Sequence, residues 1–254
     1  MLKDERLKYI EDYVNQHKRV PYQELMNQLQ ISKATVRRDL ELLNSENRVI
    51  LVRGGAIAKK TTANFELPYN MKLEVNSAEK LRIAEAAAQM VQAGNTIVLD
   101  SGTTTKHMIP FLAQLPYVNI ITCDVIIAAS CSYYPNIETT VIGGKLRSGY
   151  YNLYGYIAEN VIQTLSADIA FCSIDAISKT NDCMITNIEE VSIKQKIRSC
   201  ASRRVMLCDH TKIGCNAVVK VYDIDGFDKI ICGRELSQEV LSDFNSLKER
   251  IVLV

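Results

Sequence analysis

The 254 residues predict two units of different class: a small α+β head of three helices and a hairpin, then an α/β body with a largely parallel sheet. Three observations carry this. Before residue 46, apolar residues recur at helical spacing in three short segments, and a β-branched run, Gly54-Gly55 and a second short apolar run follow. From residue 77 onward, segments of strand and helix character alternate, the pattern of a parallel sheet with crossover helices. Charge is asymmetric as well. Residues 1–60 hold 12 Lys/Arg and 8 Asp/Glu, residues 61–254 hold 18 and 21, so a net +1 conceals +4 on the head and −3 beyond it.

In the head, residues 3–17 read as a helix with Leu7, Ile10 and Val14 on one stripe. Lys18-Arg19-Val20 breaks it and can add a short strand. Pro21 opens a second helix, where a missing N–H costs nothing, and Tyr22, Leu25, Met26 and Leu29 share its inner face. After a tight connection at Gln30-Ile31, Ser32 is the N-cap of a third helix whose inner face is Val36, Leu40 and Leu43. Opposite that face lie Ala34, Arg38 and Glu41, with Thr35 and Arg37 on its shoulders and Lys33 in its first turn. Arg48 to Val52 then reads as a strand, Gly54-Gly55 as a turn and Ala56–Ala58 as the returning strand.

Three helices and a hairpin describe a winged helix-turn-helix. In that fold the third helix enters the DNA major groove and the hairpin meets the backbone or minor groove. Arginine can read guanine O6 and N7 or hold a phosphate, threonine can reach a base edge, and a small residue allows close approach. Ser32, Lys33, Ala34, Thr35, Arg37 and Arg38 are therefore candidate DNA contacts, and Arg48 and Arg53 flank the wing. A solvated surface helix with a chance basic pair has the same pattern. The charge excess on the head favours a polyanionic partner.

Residues 59–76 show little periodicity and read as a linker between a head at 1–58 and a body at 77–254. Ser77 can cap a helix running to Ala93, with Leu81, Ala84, Ala88 and Val91 on one face. Thr96–Asp100 reads as a strand, Ser101-Gly102-Thr103-Thr104-Thr105 as a loop, and Lys106 as the start of a helix. Backbone N–H groups, hydroxyls and a helix dipole can converge on an anion there. The loop is neither a Walker A sequence nor a dinucleotide fingerprint, and a plain strand–helix turn looks alike. Further strands are expected at 118–122, 137–142, 168–174, 205–207, 230–231 and 251–254, and helices at 124–131, 155–165 and 189–202. The loops at 101–105, Gly143-Gly144, Asp175 and 209–212 all follow strands, and ligands of such sheets bind beyond the carboxyl ends of the strands.

A hydrophobic fraction of 47% is enough to build a core. No apolar run approaches a membrane span, and the opening Met-Leu-Lys-Asp-Glu-Arg is no signal peptide, so a cytoplasmic protein is expected. None of the eight cysteines forms a Cys-x-x-Cys pair and the three histidines complete no zinc pattern. Reduced, mostly buried thiols, no metal site and no cofactor are the expectation.

Ser32-x-x-Thr35-Val36-Arg37-Arg38-Asp39-Leu40, followed by Arg53-Gly54-Gly55-Ala56, resembles the signature of the DeoR family of bacterial transcriptional regulators. The resemblance extends over nearly the whole chain and implies a DNA-binding head and a sugar-phosphate-sensing body. That body resembles the fold shared by ribose-5-phosphate isomerase and glucosamine-6-phosphate deaminase. Asp175 follows a strand as the isomerase's acidic residues do, Glu190 stands in a Glu-x-x-x-Lys setting with Lys194, and Lys212 lies in Asp-His-Thr-Lys-Ile-Gly, close to the family's Asp-x-Ser-Lys-x-Gly. On this resemblance Ser101, Gly102, Thr103, Thr104 and Thr105, with Gly143 and Gly144 nearby, would hold phosphate. Lys212 would neutralise it or contact the sugar, and Asp175 and Glu190 would accept sugar hydroxyls.

Two departures stand out. The family usually places glycines around Asp175, where this chain has Cys172-Ser173-Ile174 and Ala176-Ile177-Ser178. It often ends a late strand in Ile-Thr-Asp, where this chain has Ile231-Cys232-Gly233. The expected partners are double-stranded operator DNA, a phosphorylated sugar effector and further copies of the chain, since one small head contacts too little DNA. No membrane partner and no catalysis are expected. Two other readings fit the same residues: an isomerase-like enzyme with an accessory DNA-binding head, and a constitutive DNA binder whose body only oligomerises.

Overall fold

Two units make up the chain, Met1–Val75 and Asn76–Val254, in a computed structural model that describes residues 2–46, 48–52, 54–58, 66–244 and 250–254. The head runs α1 (Lys3–His17), β1 (Arg19–Pro21), α2 (Tyr22–Leu29), α3 (Lys33–Ser45), β2 (Val49–Val52) and β3 (Gly55–Ala58). Its core is the set of stripes read from the sequence: Leu7, Ile10 and Val14 of α1, Leu25 of α2, and Val36, Leu40 and Leu43 of α3, closed by Val20, Val49 and Ala56. The strands pair antiparallel in the order β1-β3-β2. Gly55 permits the closest of these approaches, because a Cβ there would run into the Val20 carbonyl. The left-handed Gln30 (φ 54°) ends α2 and turns the chain towards α3.

The stretch expected to be a linker is corrected in part. Residues 69–74 form a helix, α4 (Tyr69–Glu74), which follows Pro68 and buries Tyr69. One and a half turns are too short for a periodic pattern to show in sequence. Residues 59–65 of that stretch lie outside the described residues.

The body continues α5 (Ser77–Ala88), β4 (Thr96–Leu99), α6 (Thr103–Lys106), α7 (Ile109–Leu112), β5 (Val118–Thr122), α8 (Val125–Cys131) and β6 (Ile137–Val141). A hairpin of β7 (Lys145–Leu146) and β8 (Leu153–Tyr154) leads to α9 (Tyr156–Ile162) and β9 (Ala167–Ser173). After β10 (Ala176–Ile177) and β11 (Asp182–Ile185) come α10 (Val191–Ser199), β12 (Ala201–Cys208), β13 (Val219–Asp223), β14 (Lys229–Cys232), α11 (Gln238–Ser242) and β15 (Ile251–Leu253).

Seven strands form one sheet in the order β15-β14-β12-β9-β4-β5-β6, every pair parallel. Both faces are buried, as a parallel sheet requires. Ile97 and Leu99 of β4 and Ile169 and Phe171 of β9 pack towards Ile83, Ala84 and Ala87 of α5. Val98, Ala170 and Cys172 point the other way, towards Ala158 and Ile162 of α9 and Ile193 and Ile197 of α10. β10, β11 and β13 make a separate antiparallel sheet that the sequence reading did not contain. All eight cysteines are free, and burial pushes the Cys183 thiol up to about 12.

Several boundaries move. Asn76, in the left-handed conformation (φ 54°), precedes α5, so Ser77 is its first residue rather than its cap. The helix after β4 begins at Thr103 rather than Lys106. α10 stops at Ser199, and residues 201–202 belong to β12 instead of the helix. No described helix is long and apolar enough to cross a membrane.

Candidate nucleic-acid interface and effector site

α3 starts where the Ser32 side chain accepts the Thr35 N–H (3.2 Å), and the two hydroxyls lie 2.9 Å apart. Lys33, Ala34, Arg37 and Arg38 are exposed, Ala34 and Arg38 on the face opposite Val36 and Leu40, and Thr35 is half-buried. Arg37 Nε donates to Glu41 Oε1 (2.7 Å) one turn on, with both side chains largely solvated. Such a pair is worth little and yields readily to a better anion. The neighbouring Asp39 is different. Its carboxylate is buried and accepts two bonds from Arg6 of α1, Nε to Oδ2 at 2.6 Å and Nη2 to Oδ1 at 3.1 Å. A bidentate pair of this kind fixes the angle at which α3 leaves the core.

Arg48 does not stand free beside the wing as the sequence suggested. Its guanidinium closes on Glu11 of α1 (2.5 Å) and on Glu46 (2.9 Å), which ties the start of β2 to the first helix. Arg53 lies outside the described residues.

In the body, parallel strands bring their carboxyl ends to one edge, and the candidate loops gather along it after β4, β6, β9 and β12. Asp100 follows β4 and is buried. Its Oδ1 accepts the Ser101 N–H (2.8 Å), and its Oδ2 accepts the Ser173 N–H (2.9 Å) and Lys194 Nζ (2.6 Å). Burial would lower the Lys194 pKa, but the charges of Asp100 and Glu190 outweigh it and hold the ammonium protonated. Ser101 Oγ donates to Asp124 Oδ2 (2.7 Å), while Asp124 Oδ1 caps α8 by accepting the N–H groups of Ile126 and Ile127. Burial raises the Asp124 carboxyl above its ordinary value against these hydrogen bonds.

Thr103, Thr104 and Thr105 form the first turn of α6 and are buried. The Thr105 hydroxyl is engaged by the Asp100 carbonyl (2.7 Å) and the Gly102 carbonyl (2.8 Å), so it braces the loop. Gly102 is required by packing, since a Cβ would sit 2.9 Å from Ser173 Cβ.

The hairpin β7–β8 supplies the next wall. Gly144 (φ 155°) precedes it, and a Cβ there would lie 2.7 Å from the Tyr154 carbonyl, whereas Gly143 faces open space. Arg147 Nη1 donates to the buried Glu190 Oε1 (2.6 Å), which also accepts Asn187 Nδ2 (3.1 Å), and the Arg147 guanidinium stacks on Tyr150 at 3.8 Å. Asp175 is half-buried and its Oδ2 accepts the Thr186 N–H (2.9 Å).

After β12, Asp209 is buried and accepts Asn76 Nδ2 (3.2 Å) and the Thr211 hydroxyl. Burial alone would raise it, yet the charges of Lys212 and of the buried Lys80 hold it below the usual carboxylate range. Lys212 is half-buried and forms no ion pair among the described residues. Glu79 takes both the backbone N–H (2.7 Å) and ring Nδ1 (2.8 Å) of His210. Glu79, Asp209 and His210 are thus the described side chains whose chemistry could hold a cation, although each already has protein partners.

Asp100, Asp124, Arg147, Lys194 and Lys80 were absent from the sequence-derived site. Asp124 carried a usable signal, an acidic residue directly before an apolar helical run. Arg147 pairs with Glu190 across 43 positions and Lys194 with Asp100 across 94, separations that leave no local trace.

Residues 6–62 match the DeoR-like helix-turn-helix domain, and residues 75–234 match the DeoR C terminal sensor domain. The HTH-type transcriptional repressor GlcR of Bacillus subtilis (strain 168) is 30% identical over 239 residues, 92% of this chain and 90% of the relative. A putative aga operon transcriptional repressor of Escherichia coli O157:H7 is 27% identical over 225 residues, 88% and 84% of the two chains. Among solved structures, ribose 5-phosphate isomerase a from Methanocaldococcus jannaschii aligns over 54% of each chain at 20% identity with a TM-score of 0.40, a likeness that carries no argument about activity.

Proposed function

The chain belongs to the DeoR family, and from that premise we propose that it is a sequence-specific DNA-binding repressor of sugar-metabolism genes whose body is controlled by a phosphorylated sugar. The observation that carries the reading is α3. Its capped amino end presents Lys33, Ala34 and Arg38 to solvent while its other face is locked into the head. Arg38 reads a base edge or phosphate, Thr35 and Ser32 meet the backbone near the helix start, and Arg37 exchanges Glu41 for a phosphate. Arg48 contributes by holding the wing to α1 rather than by touching DNA. Two or more copies act together, because paired heads match repeated half-sites.

In the body, Ser101, Gly102, Thr103 and Thr104 receive the phosphate with Lys212 beside them, and Asp175 and Glu190 face the sugar. The body binds without turnover. For control, the effector must bind the DNA-competent and DNA-incompetent arrangements with different affinity, since equal affinity shifts nothing. Operator affinity measured with and without a panel of sugar phosphates tests the reading, and turnover of those compounds would instead favour the isomerase-like enzyme.

A further inference from the structure

We propose, resting on the reading of the body as a sugar-phosphate sensor, that Asn152 and Thr186 bind the hydroxylated part of the effector beside the β7–β8 hairpin. Asn152 is 3% exposed, and its Oδ1 accepts no hydrogen bond among the described residues. Native proteins rarely leave a buried amide carbonyl in that state, because its lost hydration goes uncompensated. Thr186 carries the second such atom of this region, a buried Oγ1 without a partner among the described residues.

Connectivity places both residues on segments that adjoin the site. Asn152 and Asp124 form an antiparallel bridge. Residues directly opposed in such a pair project to the same side, so the Asn152 amide accompanies the Asp124 carboxylate, which holds Ser101 of the phosphate loop at 2.7 Å. Thr186 donates its backbone N–H to Asp175 (2.9 Å) and is followed by Asn187, which binds Glu190 at 3.1 Å. Glu190 in turn holds Arg147 of the hairpin at 2.6 Å. The Arg147–Glu190 pair therefore joins the segment that carries Asn152 to the one that carries Thr186.

The chemistry of the orphaned atoms identifies what they recognise. An amide carbonyl needs a donor. A phosphate dianion has only acceptors to give, whereas a sugar hydroxyl donates and accepts. The Thr186 hydroxyl, able to do both, suits a second sugar hydroxyl. A site whose buried polar groups await hydroxyls discriminates strongly against analogues that lack them. The ligand class is a phosphorylated polyhydroxy compound, its phosphate at Ser101–Thr104 and its hydroxyls at Asn152 and Thr186.

The test is titration of the full chain, by calorimetry and thermal shift, with aldose and ketose phosphates, their deoxy analogues and inorganic phosphate. It compares the parent with Asn152→Leu and Thr186→Val, each of which removes polarity while keeping shape. A sugar phosphate that binds the parent should bind each variant about tenfold more weakly, deoxy analogues should bind the parent weakly, and inorganic phosphate should bind all three proteins alike. Unchanged sugar-phosphate affinity in both variants overturns the assignment and leaves the sensor reading standing. Equal losses for inorganic phosphate also overturn it, by moving these residues to the anion. A parent that binds no sugar phosphate overturns the sensor reading and this assignment with it.

Discussion

Lys194 Nζ lies 2.6 Å from Asp100 Oδ2, and side chains and sheet cover both groups, their exposures being 6% and 1%. The pair joins α10 to the end of β4 across 94 positions and anchors the edge at which the candidate effector loops meet. Removing one member of a buried pair strands the other charge. Lys194→Met is expected to destabilise the body by about 3–5 kcal/mol, and the double change with Asp100→Leu to recover most of that loss. Urea unfolding of the three proteins measures it, and a single variant as stable as the parent would show that water compensates the stranded carboxylate.

Arg6 and Asp39 predict a loss of DNA binding through the placement of α3. Asp39→Ala removes both hydrogen bonds from Arg6, for a stability loss of about 1.5–3 kcal/mol in the head. Operator affinity should fall as α3 loses its fixed angle. Exchanging the two residues, Arg6→Asp with Asp39→Arg, should restore part of both properties, which neither single change should do.

His210 gives the body a pH-dependent contribution. The hydrogen bond to Glu79 raises its pKa against the effect of burial, and the charges of Asp209 and Glu235 add to it. Its folded value therefore lies above the unfolded value of about 6.5. The stabilisation is fully present below that pH and is lost as pH rises through the folded value. The melting temperature of the parent should exceed that of His210→Gln most at about pH 5.5, with the gap narrowing by about pH 8.5. A gap of constant size across that range would mean that the protonated imidazole contributes nothing.

Thr104→Glu places a carboxylate in the loop proposed for phosphate, and Lys212→Ala removes the cation proposed to neutralise it. Each should weaken effector binding, the lysine change by about 1.5–3 kcal/mol. Neither residue belongs to the head, so both variants should bind operator DNA as the parent does. Retention of the parent's effector response in both would place the anion elsewhere in the body.

The elements of the head were legible because Val36, Leu40 and Leu43 repeat at helical spacing behind a capping serine, and local signals of that kind survive in a linear sequence. The sheet was legible from its β-branched runs for the corresponding reason. Pairings were not. Arg48 reads as a free wing cation until Glu11, 37 positions away, is brought to it, and no local pattern pairs Asp39 with Arg6. The two-residue strand β10 and the helix at 69–74 lack the length over which a period can be counted. In the body the loop Ser101–Thr105 announced itself by composition, whereas Asp100 and Lys194 meet only on folding.

The most direct measurement is recovery and sequencing of chromosomal DNA fragments bound by the full chain, alongside Arg38→Ala, with and without a mixture of sugar phosphates. The account predicts that the parent enriches a shared, repeated sequence element, that Arg38→Ala binds that element more weakly by about 1–3 kcal/mol, and that the sugar phosphates change the parent's occupancy of it. Absence of any enriched element, or equal enrichment by parent and Arg38→Ala at matched salt, would contradict it.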